Sequence, residues 1–242
     1  MKSENVNNLA DDIITRLAHL SEVNTESIRA LRREFSKRLI DAPPDFVFRL
    51  ALRLLKREET VPRFLAYELV QHHREALRSL NSSKLKLLGE GINDWAAVDT
   101  FSCYLAGPAW RERQVPDTLI AGWAHSKNRW WRRAALVSTV PLNSNARGGT
   151  GDTSRTLAIC EMLVSDRDDM VVKALSWALR ELTKRDPTVV RGFLRTQQAV
   201  LAPRVIREVQ NKLRTGLKTP RSDRRRFVAA GAQGRSRNKT TN

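Results

Sequence analysis

The stretch INDWAAVDTFS (residues 92–102) places Trp95 and Asp99 four residues apart, so on a helix the indole and the carboxylate stack on one face. Asn93 or Asp94 can cap the start of that helix, and Gly107-Pro108 reads as its end. A carboxylate this far into a helix is not a cap, and no Lys or Arg stands at three or four positions from Asp99 to pair with it. Val98 and Phe101 crowd it with apolar surface. An anion set beside an electron-rich ring and poorly solvated is suited to stabilising positive charge on whatever docks there.

The remaining aromatic chemistry is concentrated nearby. All six tryptophans (Trp95, Trp110, Trp123, Trp130, Trp131, Trp177) lie between residues 95 and 177, together with the basic strings KNRWWRR (127–133) and WALRE (177–181). Rings interleaved with arginine suit a nucleic-acid cleft, where rings pack on sugars or bases and guanidinium groups hold phosphates. Lys127, Arg129, Trp130, Arg132, Lys173 and Arg180 are the residues expected to contact DNA. Trp110 and Trp123 have no charged string beside them and are expected in the core.

Charge agrees with a polyanionic partner. The formal net charge is +17. From Arg214 onward there are nine Lys/Arg against one acid, which leaves +9 on residues 1–213, so the body is basic as well as the tail. No apolar run approaches the roughly 18 residues of a membrane span. The start, MKSENVNNLADDI, has no signal-peptide core. Cys103 and Cys160 sit in apolar helical patterns and read as reduced core residues. The four histidines lack metal-site spacing, so no metal or other cofactor is expected. A soluble, cytoplasmic protein associated with the bacterial nucleoid through DNA is the expectation.

The elements that must position these residues are helices. Val6, Leu9, Ile13, Leu17 and Leu20 mark one helix, and Ile28, Leu31, Phe35 and Leu39 mark a second with Thr25 as its cap. Further helices are predicted near 45–57, 61–78, 83–90, 94–106, 116–126, 128–140, 153–165, 168–184, 187–195 and 203–216, with Thr60-Val61-Pro62, Asp186-Pro187 and Ala202-Pro203 as starts. No period-2 strand is found. WWRRAALVSTV (130–140) aligns with MVVKALSWALR (170–180) at an offset of 40, with Arg133 over Lys173. Helix pairs at about that period form HEAT-like solenoids. The expected fold is therefore all-α: about six antiparallel helix pairs over residues 1–216, with a concave basic face, followed by a disordered basic tail at 217–242. The glycine-rich stretch 141–154 lacks the Lys-Ser/Thr ending of a phosphate loop and reads as a mobile connection.

DWAAVD, RWWRRAALV and VVKALSWALRE, in that order and with helices between them, resemble the three signature segments of the AlkD-like family of DNA alkylation repair glycosylases built from HEAT-like repeats. The resemblance spans about residues 20–215. It implies cleft residues at Trp95, Asp99, Arg133 and Trp177, with Trp130 at a further aromatic position. It implies a metal-free, monofunctional glycosylase, a monomer acting on double-stranded DNA containing alkylated purines without flipping the base. Asp99 would stabilise the oxocarbenium-like sugar, Trp95 and Trp177 would wall the site, and Arg133 would grip the phosphate beside the lesion. Lys173 would contact a phosphate rather than attack the sugar. Members of the family often carry a second acid directly after the tryptophan, where this chain has Ala96. The alternative is a non-catalytic HEAT-repeat paralogue that holds damaged or branched DNA.

Overall fold

A computed structural model describes residues 5–220 of the chain, and among them every regular element is helical. The α-helices are α1 (Val6–Ala18), α2 (Thr25–Arg38), α3 (Pro44–Leu55), α4 (Thr60–His72), α5 (Arg74–Arg78), α6 (Ser82–Gly89), α7 (Trp95–Phe101) and α8 (Gly107–Arg111). They continue as α9 (Asp117–Ala124), α10 (Arg129–Val137), α11 (Val140–Asn143), α12 (Thr153–Met162), α13 (Asp169–Leu182), α14 (Pro187–Thr196) and α15 (Pro203–Thr215). A π-helical turn (Ser102–Ala106) joins α7 to α8, and a 3-10 turn (Asn145–Arg147) follows α11.

Local chemistry sets the boundaries. Pro44, Pro187 and Pro203 open their helices, where a missing N–H leaves nothing unpaired. The cap of α2 is Asn24 rather than Thr25: the Asn24 side chain accepts from the amides of Glu26 and Ser27 at 3.0 Å each, and Ser27 Oγ accepts from the Asn24 amide, closing a capping box. The expected single helix over 61–78 is divided at His73, whose extended backbone ends α4 and whose ring Nδ1 accepts from the Ala76 amide to start α5.

The Gly107-Pro108 pair does not end the chain's helical path. The widened π turn, in which the Gly107 amide reaches Ser102 O, carries the path into α8 and puts the donorless proline in its first turn. Gly107 itself is required by packing. A Cβ there would lie 2.8 Å from the Ser138 carbonyl oxygen and 2.6 Å from the Pro141 ring.

The helices form a two-layer array. In one layer α2 packs on α4, α4 on α7, α7 on α10, α10 on α13 and α13 on α15. Behind it, α1 packs on α3, α3 on α6 and α9 on α12, while α3–α4, α9–α10 and α12–α13 pair across the layers. This is a helical-repeat solenoid, and α10 and α13, the helices related by the 40-residue offset, are neighbours in the first layer. The core runs continuously through it. Its aromatic centre joins Tyr67 to Phe101 (5.8 Å), Phe101 to Trp123 (5.8 Å) and Trp131 (6.0 Å, edge-on), and Trp123 to Trp131 (4.9 Å).

The glycine-rich connection is fixed, not mobile as its composition suggests. Arg185 Nε donates to Asn143 O at 2.7 Å, and its Nη2 reaches Asn145 Oδ1 and Gly149 O. Arg111 Nη1 donates to Arg147 O. The buried Asn143 side chain donates to Thr139 O and Thr156 Oγ1 and accepts from the Asp152 amide. Glycine serves here for close approach and for a left-handed turn at Gly148 (φ 78°). Of the tail expected at 217–242, residues 221–242 lie outside the described residues.

A methyl group at Gly149 would sit 2.6 Å from the Leu142 carbonyl carbon, backbone that cannot step aside. Gly149→Ala is therefore expected to lower stability by about 1–3 kcal/mol in chemical denaturation. It should also make residues 144–151 more susceptible to limited proteolysis than they are in wild type.

Candidate functional site

The site is assembled at the first turns of α7, α10 and α13. Asp94, in an extended conformation, caps α7 by accepting from the Ala97 amide at 2.9 Å. That choice makes Trp95 the first helical residue and places Asp99 one turn later. Ala97, Val98 and Phe101 bury the opposite side of the helix, while Trp95 stands 58% exposed. Asn128 caps α10 through the Trp130 amide (2.8 Å), and Asp168 caps α13 through the Met170 amide (2.9 Å). Three side-chain caps thus fix three neighbouring helix starts.

Arg133 crosses these starts. Its Nε donates to Asp99 Oδ1 at 2.9 Å and its Nη2 to Asp99 Oδ2 at 2.8 Å, a bidentate fork, while Nη1 donates to the Met170 carbonyl at 2.6 Å. The arginine side chain is 7% exposed and that of Asp99 19%. One guanidinium therefore joins α7, α10 and α13. The sequence suggests an unpaired aspartate and a phosphate-gripping arginine; the structure puts the two together, with the partner arriving from 34 residues away. A search along one helix cannot find it.

Burial raises the Asp99 carboxyl above the usual aspartate range, and the Arg133 fork opposes that shift without reversing it. Cys103, one turn further along, is pushed up to about 12 by burial and is no nucleophile at neutral pH.

The other expected site residues divide into two groups. Lys127 is exposed. Arg129 lies over the Trp130 ring at 4.8 Å and reaches Asp168 at 3.5 Å with half its side chain in solvent. Lys173 Nζ pairs with Asp169 at 2.6 Å on the surface. Arg132 and Arg180, by contrast, are engaged internally. Arg132 binds Asp166 Oδ2 at 2.7 Å and the carbonyls of Ser126 and Lys127 at 3.0 Å, tying the α9–α10 turn to the α12–α13 turn. Arg180 donates to Ser176 Oγ at 3.1 Å and faces Glu208 of α15, and burial lowers its pKa.

Trp177 is half-buried on α13, two turns beyond Met170. No ring contact among the described residues joins it to Trp95. Trp110 is buried as expected, its Nε1 donating to Asp117 at 2.7 Å, and Trp123 belongs to the aromatic centre.

Chemically, the arrangement holds a carboxylate at fixed orientation, largely out of water, one turn from an exposed indole. No helix among the described residues is long and apolar enough to cross a membrane. The family model described as "DNA alkylation repair enzyme" matches residues 20–213. No curated protein matches the chain.

Removing one partner of a buried ion pair leaves an uncompensated charge. Arg133→Ala is accordingly expected to cost about 3 kcal/mol in denaturant unfolding, the low end of the usual range because Asp99 keeps some contact with water. Lys173→Ala, which breaks only an exposed pair, should change stability by less than about 0.5 kcal/mol.

Proposed function

We propose, because the chain belongs to the DNA alkylation repair enzyme family, that it is a monofunctional glycosylase. Its substrates are purines carrying a positive charge from alkylation at N3 or N7, within double-stranded DNA. Such a base is already a good leaving group. The N-glycosidic bond breaks with its electron pair moving to the purine, and positive charge gathers at C1′ of the deoxyribose. Water then adds to C1′ and loses its proton to the carboxylate or to solvent, leaving an abasic site.

Asp99 is the catalytic group in this reading, opposing the sugar's charge and orienting the water. The observation that carries it is the bidentate Arg133 fork, which fixes the carboxylate's orientation and favours its ionised form in a poorly hydrated setting. Arg133 then acts as a positioning residue rather than the phosphate grip that the family resemblance implies. The exposed ring of Trp95 offers a π face to the cationic base or sugar, worth about 1–2 kcal/mol when desolvated. Trp177 forms the far wall. Lys127, Arg129 and Lys173, which remain at the surface, and the partly buried Trp130 supply backbone contacts on a basic concave face. In this reading, as the family resemblance implies, the base reacts while still stacked in the duplex rather than flipped into a pocket. Lys173, paired with Asp169, is not the nucleophile a strand-cleaving mechanism requires.

Asp99→Asn keeps the shape and removes the charge. It should reduce single-turnover release of 7-methylguanine from methylated duplex DNA on the order of 10²–10³-fold, with DNA binding within about twofold of wild type. Wild type releasing no base would refute the glycosylase reading in favour of a DNA-holding paralogue.

The pH profile gives a second check. Activity requires the ionised carboxylate, and burial raises its pKa, so the acid limb of the release rate should fall above the ordinary aspartate value of about 3.9. Arg133→Gln removes the cation that favours ionisation and should move that limb to still higher pH. An unmoved limb would separate Asp99 from the reaction.

A further inference from the structure

The family resemblance implies a phosphate contact for Arg133, and the structure commits that guanidinium to Asp99 and Met170. A phosphate-binding group close to the carboxylate must then come from elsewhere, and the fixed glycine-rich connection supplies one. Arg147 forms no salt bridge among the described residues; its guanidinium carbon lies 5.4 Å over the ring of Tyr104. Tyr104 belongs to the π turn directly after α7. Its ring lies 6.5 Å from that of Phe64 on α4, tilted by 56°. The phenol oxygen accepts from Arg29 Nη2 at 3.0 Å, so Tyr104 cannot swing away.

The segment carrying Arg147 is held at several points. Arg111 binds the Arg147 carbonyl, and Arg185 binds Asn143 O, Asn145 Oδ1 and Gly149 O. Gly148 makes the left-handed turn beside the Arg111 guanidinium. All of these bonds constrain backbone and flank; none uses the Arg147 side chain. A partly buried guanidinium, held over an aromatic ring on a fixed backbone with its donors free of carboxylate, is built to receive an anion from outside. Arg147 is also near enough to Asp99 for its charge to favour the ionised carboxylate.

We infer that Arg147, presented on the Tyr104 ring, binds a backbone phosphate of the DNA strand whose sugar faces Asp99. This rests on the glycosylase reading for the identity of the strand, and on the geometry for the anion. With no carboxylate bound to them, the guanidinium N–H groups are available to fork onto phosphate oxygens. The contact registers the duplex along α7 so that a sugar, rather than a groove edge, meets the carboxylate.

The test compares Arg147→Gln and Arg147→Lys with wild type in the full-length protein, using a methylated duplex for excision and an unmodified duplex for binding. Arg147→Gln is expected to weaken duplex binding about tenfold at moderate salt and to make the slope of log K against log salt shallower by about 0.9, the signature of one lost phosphate contact. Excision under subsaturating DNA should fall by at least the same factor. Arg147→Lys keeps the charge and should restore the slope. Thermal stability should fall only slightly for Arg147→Gln, which loses just the ring contact, since the side chain makes no internal hydrogen bond.

A Gln variant with wild-type slope and affinity overturns the inference, as does one whose only change is a lower melting temperature, which would make Arg147 a brace for Tyr104. The two readings fail separately. If wild type releases no base yet Arg147→Gln loses the salt slope, the phosphate contact stands and the glycosylase falls. If excision is intact and Arg147→Gln binds as wild type, only the contact falls.

Discussion

The structure depends on one guanidinium. Arg133 is nearly fully buried, and burying a positive charge is unfavourable unless each of its nitrogens finds an acceptor of good geometry. Here Nε and Nη2 meet the two oxygens of Asp99, and Nη1 meets the Met170 carbonyl. The three acceptors belong to two different helices, and the donor to a third. Satisfying this one side chain therefore fixes how α7, α10 and α13 sit against one another. The same bonds fix the direction of the Asp99 carboxylate. Fold and site share a single interaction, and neither can be varied without the other.

The layer behind explains why the pair stays where it is. Phe101, two residues beyond Asp99, turns inward to Tyr67, Trp123 and Trp131. Its ring is fully buried. That aromatic centre sits where α4, α7, α9 and α10 meet and prevents α7 from rotating about its axis. With one face of a seven-residue helix pinned by Phe101 and Val98, the other is compelled to present Trp95 and Asp99. The N-terminal caps of Asp94, Asn128 and Asp168 set the registers along the axis. Exposure then sorts the tryptophans: Trp110 and Trp123 serve packing, and Trp95 is offered to solvent.

Much of this is legible in the sequence. The apolar period of each helix, the proline starts and the 40-residue offset between α10 and α13 lead to a helical-repeat array, and the Trp95–Asp99 spacing identifies the face of α7. What is not legible is contact between neighbouring repeats, whose residues are far apart in sequence. Asp99 looks unpaired because its partner is a residue of the next repeat, and Arg132 looks like a DNA contact although Asp166 claims it. Composition misleads in 141–154 for a related reason. Glycines that signal freedom in an isolated segment signal close approach once Arg111 and Arg185 arrive from α8 and the end of α13 to bind the carbonyls. Gly107-Pro108 fails as a helix stop because a π turn absorbs the missing donor, a local device without a recognisable residue pattern.

The central claim is that the residue-99 carboxylate opposes positive charge on a sugar. It is tested most directly with two duplexes that differ only in charge at one abasic position: a pyrrolidine analogue, cationic at the site of C1′, and a neutral tetrahydrofuran analogue. Wild type is expected to bind the cationic duplex on the order of 10²-fold more tightly, with the preference abolished in Asp99→Asn. Equal affinity of wild type for the two duplexes, or a preference that survives in Asp99→Asn, would contradict it.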